Sequence, residues 1–112
     1  MHQNFLTWQS VRNFLKRFPK HYLEIQEGHQ WLLQFGDQYR LSIINHKGSR
    51  GYPNLYEIGV FSDCDTMAEL PGVTVKDDQV KGNLTPNQID AIIVKMISIT
   101  GKMPVSIVPP NL

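Results

Sequence analysis

The fold is decided by residues 21–45, which read HYLEIQEGHQWLLQFGDQYRLSIIN. Apolar residues recur at every second position, the spacing that gives a β-strand one buried face. Two glycine-containing turns, Glu27-Gly28 and Gly36-Asp37, interrupt this pattern, and we expect positive φ angles at both glycines. The predicted strands span residues 21–26, 30–35 and 39–45. Together they predict an antiparallel meander.

Two amphipathic helices flank this predicted sheet. Residues 6–18 carry an apolar stripe at helical spacing, and Pro19 ends the helix because proline cannot continue the hydrogen-bonding pattern. Near the C-terminus, Thr85-Pro86-Asn87-Gln88 combines an N-cap threonine, proline at the first helical position and glutamine at the third. Gly101 is placed to end this second helix in a left-handed conformation.

The remaining strands complete an α+β architecture. A fourth strand is predicted at residues 55–61, and short edge strands are expected at residues 73–75 and 79–84. The predicted fold is a four- to five-stranded antiparallel meander sheet with an N-terminal and a C-terminal helix packed on one face. We assign residues 1–102 to a single domain and residues 103–112 to a proline-rich C-terminal tail.

The net charge of +1 conceals an uneven distribution of charged residues. Residues 1–56 carry seven Lys or Arg and three Asp or Glu, whereas residues 57–112 carry four and seven. The two halves therefore have net charges of +4 and −3. This pattern argues against a simple polyanion binder and favours a recognition surface with both signs of charge.

Several functional classes lack their sequence signals. The single cysteine, Cys64, cannot form an intramolecular disulfide, and its two aspartate neighbours disfavour a reactive thiolate. The four histidines show neither a zinc-binding nor a triad spacing. The N-terminus does not resemble a signal peptide, and no apolar run reaches the ~18 residues of a membrane helix. We therefore predict a cytoplasmic protein that is not an enzyme, with no cofactor, no bound metal and no membrane partner.

Candidate partner-binding residues fall into three groups. The first predicted helix presents Arg12, Lys16, Arg17 and Lys20; the loop at residues 46–54 presents Lys47, Arg50 and Tyr52; an acidic loop presents Asp63, Asp65 and Glu69. The acidic loop departs from a calcium-binding EF-hand, because Ala68 and Thr74 replace the required glycine and glutamate. It is better suited to serve as a negative patch for a basic partner surface.

The loop at residues 46–54 has two interpretations. Its glycines free the backbone, its cations suit phosphate contacts, and Tyr52 is placed to stack on a base. The second interpretation is a mobile hairpin end whose charges keep it soluble. The glycine spacing fits neither the dinucleotide fingerprint nor the P-loop.

Three segments resemble the small accessory proteins of tailed bacteriophages. They are FGDQYR (residues 35–40), LYEIGVF (55–61) and LTPNQID (84–90). The resemblance implies a host-directed or regulatory role in the bacterial cytosol, by binding a host macromolecule. It carries over no functional residue.

The sequence favours a small non-enzymatic binding protein, an inhibitor or regulator, that docks on a cytosolic host protein or associates with itself, as in a homodimer. The alternative is a nucleic-acid-binding regulator that uses the basic helix face and the loop at residues 46–54. About six aligned cations would be enough for salt-sensitive binding to nucleic acid.

Overall fold

The computed structural model of the chain describes residues 12–62, 68, 70, 73–74 and 80–107. The elements in these residues are α1 (Phe14–Arg17), β1 (His21–Leu23), β2 (Gly28–Phe35), β3 (Tyr39–His46), β4 (Tyr56–Ser62), β5 (Val80–Leu84), α2 (Pro86–Thr100) and β6 (Val105–Ser106). Strands β1 to β5 form an antiparallel meander in chain order, and β6 pairs with β2. Both helices pack on one face, so the predicted α+β class is confirmed.

Alternation along the central strands creates the core. In an antiparallel pair, directly opposite residues share a face, and the register sets Trp31 against Ile43 and Leu33 against Leu41. The buried side chains on this helix-facing side of the sheet are Trp31, Leu33, Phe35, Leu41, Ile43, Ile58 and Val60. Helix α2 covers them with Ile89, Ile92, Ile93, Met96 and Ile97. The apolar stripes predicted for β2, β3, β4 and α2 therefore meet in one core.

The ends of α2 follow the predicted capping pattern. Thr85 Oγ1 accepts a hydrogen bond from Gln88 N at 3.2 Å, and Gln88 Oε1 accepts one from Thr85 N at 2.8 Å. Gly101 ends the helix with a φ of 70°. The capping box and the left-handed glycine are thus both confirmed.

The start of α1 differs from the predicted helix at residues 6–18, of which residues 6–11 lie outside the described part. Asn13 has a φ of 61°, so the helix begins at Phe14. The buried carboxylate of Asp90 in α2 accepts hydrogen bonds from Asn13 N at 2.8 Å and Phe14 N at 3.1 Å. The predicted helix was therefore wrong at residues 12–13. The backbone amides of Asn13 and Phe14 pair instead with a carboxylate from another element.

The first hairpin turn also differs from its prediction. Strand β1 ends at Leu23, and Ile25 lies in the turn with 91% of its surface exposed. The positive φ, 57°, belongs to Glu27 rather than Gly28. Gly28 is needed for another reason: a Cβ there would overlap the backbone of Asn45 and His46. The positive φ predicted at Gly36 is confirmed.

The segment before β5 forms a turn where the sequence predicted a strand at residues 73–75. Val73 N and Thr74 N both donate to Leu70 O, at 2.9 and 2.8 Å. Thr74 Oγ1 accepts from Leu70 N at 2.8 Å and closes the turn. These bonds take the amides that a strand would use, so the prediction was wrong for its two described residues. Strand β5 lies within the segment predicted at residues 79–84.

The proline-rich tail contributes one more strand. Val105 pairs with Gln34 and Ser106 with Leu33. Ile107 N then donates to Leu32 O at 3.0 Å. Strands β1 and β6 therefore share one side of β2, with β1 along its first half and β6 along its second.

We predict that Asp90→Ala lowers the free energy of unfolding by about 2–4 kcal/mol, because two backbone donors lose a charged acceptor. Asp90→Asn should cost about half as much, since one acceptor oxygen is retained. Urea unfolding followed by tryptophan fluorescence measures both. Ser98→Ala, at an exposed position of α2, is the control and should be neutral. An Asp90→Ala variant as stable as the control would show that the two hydrogen bonds do not hold α1 on α2.

Candidate functional site

The loop between β3 and β4 is built on a network of internal hydrogen bonds. Ser49 Oγ donates to His46 O at 2.7 Å and accepts from His46 N at 3.1 Å. At the other end of the loop, Asn45 Nδ2 donates to Pro53 O at 3.0 Å and to Leu55 O at 2.8 Å. These bonds favour a shaped loop over the mobile hairpin end that the sequence left open.

Arg50 fixes this loop on the edge strand β5. Its backbone N donates to Glu57 Oε1 at 2.7 Å, and its backbone O accepts from Asn83 N at 3.3 Å. Its guanidinium donates to Val80 O at 3.4 Å. The Arg50 side chain lies directly over Gly82, where a Cβ would collide with it. A residue predicted to bind a partner is therefore engaged in holding the loop.

The same end of the sheet carries the turn between β1 and β2. Gly28 pairs with His46, which brings this turn beside the start of the loop. Lys47 N donates to Gln26 O at 3.1 Å and to Glu27 O at 3.4 Å. Two loops that are separate in sequence thus lie side by side at this end of the sheet.

We call this surface the loop-end surface and define it by Ile25, Lys47 and Tyr52. Ile25 is 91% exposed and Tyr52 is 42% exposed, and Lys47, whose backbone amide joins the two loops, is also exposed. Lys47 and Tyr52 were predicted as partner-binding residues, whereas Ile25 was placed on the apolar face of a strand. Ile25 is flanked by the polar residues Glu24, Gln26 and Glu27, which were the available sign of a turn.

Two of the predicted cations, Lys20 and Arg50, lie on different sides of the sheet. Lys20 Nζ lies 5.3 Å from the centre of the Trp31 ring, which faces the helices. Arg50 instead bonds to Glu57. The next residue of the strand, Ile58, faces the helices, so the Glu57 side chain is on the opposite side of the sheet. Lys20 and Arg50 are consequently on opposite faces.

The other sequence-predicted residues are less informative. Arg12, Lys16 and Arg17 are exposed in and around α1, on the helix side of the sheet. Asp63, Asp65 and Glu69 lie outside the described residues. Within the described part of the chain, no three His, Cys, Asp or Glu side chains come together as they would around a metal ion.

A small cluster of rings and cations surrounds β1. The rings of Tyr22 and His29 lie 5.4 Å apart in an edge-on arrangement. The Nδ1 atom of His21 is buried, with no hydrogen-bond partner among the described residues. Burial lowers the pKa of His29 below 6.5, and the charges of Lys20 and His21 lower it further. These surroundings therefore disfavour protonation of His29.

Comparisons with protein-family models, curated proteins and solved structures found no match for this chain. In addition, none of the described helices is long and apolar enough to cross a membrane. The candidate site consequently rests on the geometry of its own residues.

We predict that Gly82→Ala detaches the loop from β5, because the added methyl group displaces the Arg50 side chain. Amide hydrogen exchange should speed up at Arg50 and Asn83 while the β2 amides stay protected. Lys81→Ala, on the neighbouring residue of the same strand, is the control. Unchanged exchange at Arg50 and Asn83 in Gly82→Ala would contradict the proposed role of Arg50.

We also predict that acid destabilises the fold partly through His29. Because the pKa of His29 is lowered in the folded state, the unfolded chain takes up the proton more readily. The contribution to stability is present above pH 6.5 and is lost as the pH falls through the folded pKa. His29→Gln should therefore flatten the dependence of Tm on pH between about pH 5 and 8.

A titration by nuclear magnetic resonance tests the cause directly. Lys20→Gln should raise the pKa of His29, because it removes a neighbouring positive charge. Lys47→Gln removes a lysine elsewhere on the surface and should leave the pKa of His29 unchanged. An identical His29 pKa in wild type and Lys20→Gln would rule out this electrostatic account.

Proposed function

We propose that this chain is a small non-enzymatic binding protein that docks on a protein partner through the loop-end surface. One observation carries the proposal: Ile25 and Tyr52 expose large apolar side chains on two loops that are hydrogen-bonded side by side. Exposed apolar and aromatic residues that are held in place are typical of interaction sites.

The order of the loops supports binding in a second way. A flexible loop loses conformational entropy when it binds, and this loss weakens affinity. Here the bonds of Ser49, Asn45 and Arg50 shape the loop before any partner arrives. A partner would then contact Tyr52 without having to order the segment that carries it.

The charges around the surface favour a protein over a nucleic acid. Glu24 and Glu27 lie in the turn that also holds Ile25, and Lys47 lies beside them. Mixed charges complement another protein's mixed surface, whereas a polyanion is attracted by several cations at once. Lys20 and Arg50 lie on opposite faces, which counts against one continuous basic patch across the helix and the loop.

The place of action is part of the same proposal. The resemblance of three segments to phage accessory proteins supports a partner in the bacterial cytosol. A host protein bound there would be regulated or inhibited by occlusion of its surface. Self-association through the same surface is the variant of this proposal in which the partner is a second copy.

Capture experiments with matched variants test the proposal. Tagged full-length chain should recover a stoichiometric partner from a bacterial lysate, and Ile25→Asp and Tyr52→Ala should each weaken binding by about tenfold or more. Tyr22→Ala and Ile99→Asp are matched controls, because their side chains are also exposed, at 57% and 41%, but lie outside the surface. Circular dichroism confirms that all variants fold.

Three outcomes would count against the proposal. If no partner is recovered and light scattering shows only monomer, the protein does not act by protein binding. If the controls lose the partner as strongly as Ile25→Asp and Tyr52→Ala do, the surface is misplaced. If nucleic acid binds with a steep salt dependence and Lys47→Ala/Arg50→Ala abolishes binding without unfolding, the nucleic-acid alternative is correct.

A further inference from the structure

A second concave surface lies between β5 and α2. It is an open depression with a volume of about 350 Å³. The described residues that line it are Lys81, Leu84, Gln88, Ala91, Ile92 and Lys95. The four helix residues follow one another at steps of three, one and three, so they form one stripe of α2 beside the edge strand. None of the six belongs to the loop-end surface.

The groove has an apolar end and a cationic end. Helix α2 follows β5 through Thr85 and runs back over the sheet. Its far end is marked by Lys102, which lies against Gly36 in the β2–β3 turn. Leu84 and Gln88 are therefore close to the connection, while Lys81 and Lys95 are both farther from it. The two lysines face the groove from its opposite walls, one on the strand and one on the helix.

The apolar end is open enough to seat a side chain. Leu84 and Ile92 form a buried floor, with 3% and 7% of their surfaces exposed. Ala91 is exposed and contributes only a methyl group, which leaves room above the floor. Gln88 is held by its capping bond to Thr85, so this wall is fixed. An apolar side chain placed here would lie against the Ala91 methyl group and cover what remains exposed of the floor.

The cationic end calls for an anion. Lys81 and Lys95 both line the groove, and a carboxylate bound beside them would be attracted by both positive charges. No acidic side chain is found among the described residues that line the groove. The complementary ligand thus has a carboxylate next to an apolar group.

We propose that this groove binds an acidic peptide segment of a partner protein. In this arrangement an apolar side chain of the peptide lies on Leu84, Ala91 and Ile92. A neighbouring Asp or Glu lies between Lys81 and Lys95. The groove shares no lining residue with the loop-end surface, so each proposed site can be tested without the other.

The peptide is held by side chains rather than by addition of a strand to β5. Pairing between β4 and β5 shifts register between Tyr56 and Ile58, and Asn83 has a φ of 58° in this irregular stretch. Asn83 N is already bonded to Arg50 O, and Val80 O accepts from the Arg50 guanidinium. A bulged and partly occupied edge is a poor template for a further strand.

A selection from a random peptide library on the full-length chain tests the proposal. The recovered peptides should share an Asp or Glu within a few positions of a large apolar residue. Fluorescence anisotropy of a labelled recovered peptide then gives its Kd. Lys81→Glu and Lys95→Glu should each weaken binding by about tenfold or more. Lys102→Glu makes the same charge change outside the groove and should bind as the wild type does.

A second pair of variants tests the apolar end. Ala91→Trp fills the space above Leu84 and Ile92 and should abolish binding, whereas replacement of the peptide's apolar residue by alanine should weaken it. Ser98→Trp places the same bulk on an exposed position of α2 outside the lining and should leave binding unchanged. Thermal unfolding of each variant establishes that the fold is retained.

Recovery of no peptides, or of peptides without acidic residues, would overturn the proposal. Equal binding by wild type, Lys81→Glu and Lys95→Glu would also overturn it. Competition by an oligothymidylate as effective as the unlabelled peptide would identify the groove as a polyanion site instead. If the chain forms a dimer and Lys81→Glu dissociates it, the occupant of the groove is a second copy of the chain. The loop-end proposal is untouched by these results, because it depends on Ile25 and Tyr52.

Discussion

The register between β2 and β3 sets which side chains of the sheet face the helices and which loops meet at its end. Eight residue pairs, from Gly28 with His46 to Phe35 with Tyr39, join the two strands. Because side chains alternate between faces, a slip of one residue would turn Trp31, Leu33 and Phe35 away from the helices. The register is fixed at both ends, by the turn at Gly36 with its φ of 62° and by Gly28, which has no room for a Cβ. The position of Lys47 beside the β1–β2 turn follows directly from it.

Local patterns predicted those elements whose causes are themselves local. The period of two located β2, β3 and β4, and the four residues of the capping box located the start of α2, because each signal lies within the element it describes. The start of α1 was missed because its cause lies 77 residues away, in the carboxylate of Asp90. The extent of β1 was overestimated because Ile25 continued the alternation past the last residue pair of the hairpin.

The candidate site was predictable in part for a related reason. Sequence patterns identified the loop at residues 46–54 and its cations, but not the faces on which those cations lie. Lys20 lies over the Trp31 ring on the helix side, while Arg50 is tied to Glu57 and Val80 on the other side. Neither arrangement leaves a local trace, since each joins residues at least seven positions apart. A count of charges therefore overstates how many cations one ligand could meet.

The use of Arg50 inside the protein changes what the uneven charge distribution implies. Arg50 holds a loop on β5 and thereby contributes to the shape of the loop-end surface. Two exposed glutamates, Glu24 and Glu27, lie in the turn of Ile25, and the exposed Lys47 is bonded to that turn, so both signs of charge are present. Mixed charges contribute more to the choice of partner than to the strength of binding, whereas buried apolar and aromatic contacts supply most of the affinity. The near-zero net charge and the hydrogen-bonded, partly apolar loop surface are the two features on which the proposed function, selective recognition of another protein, depends.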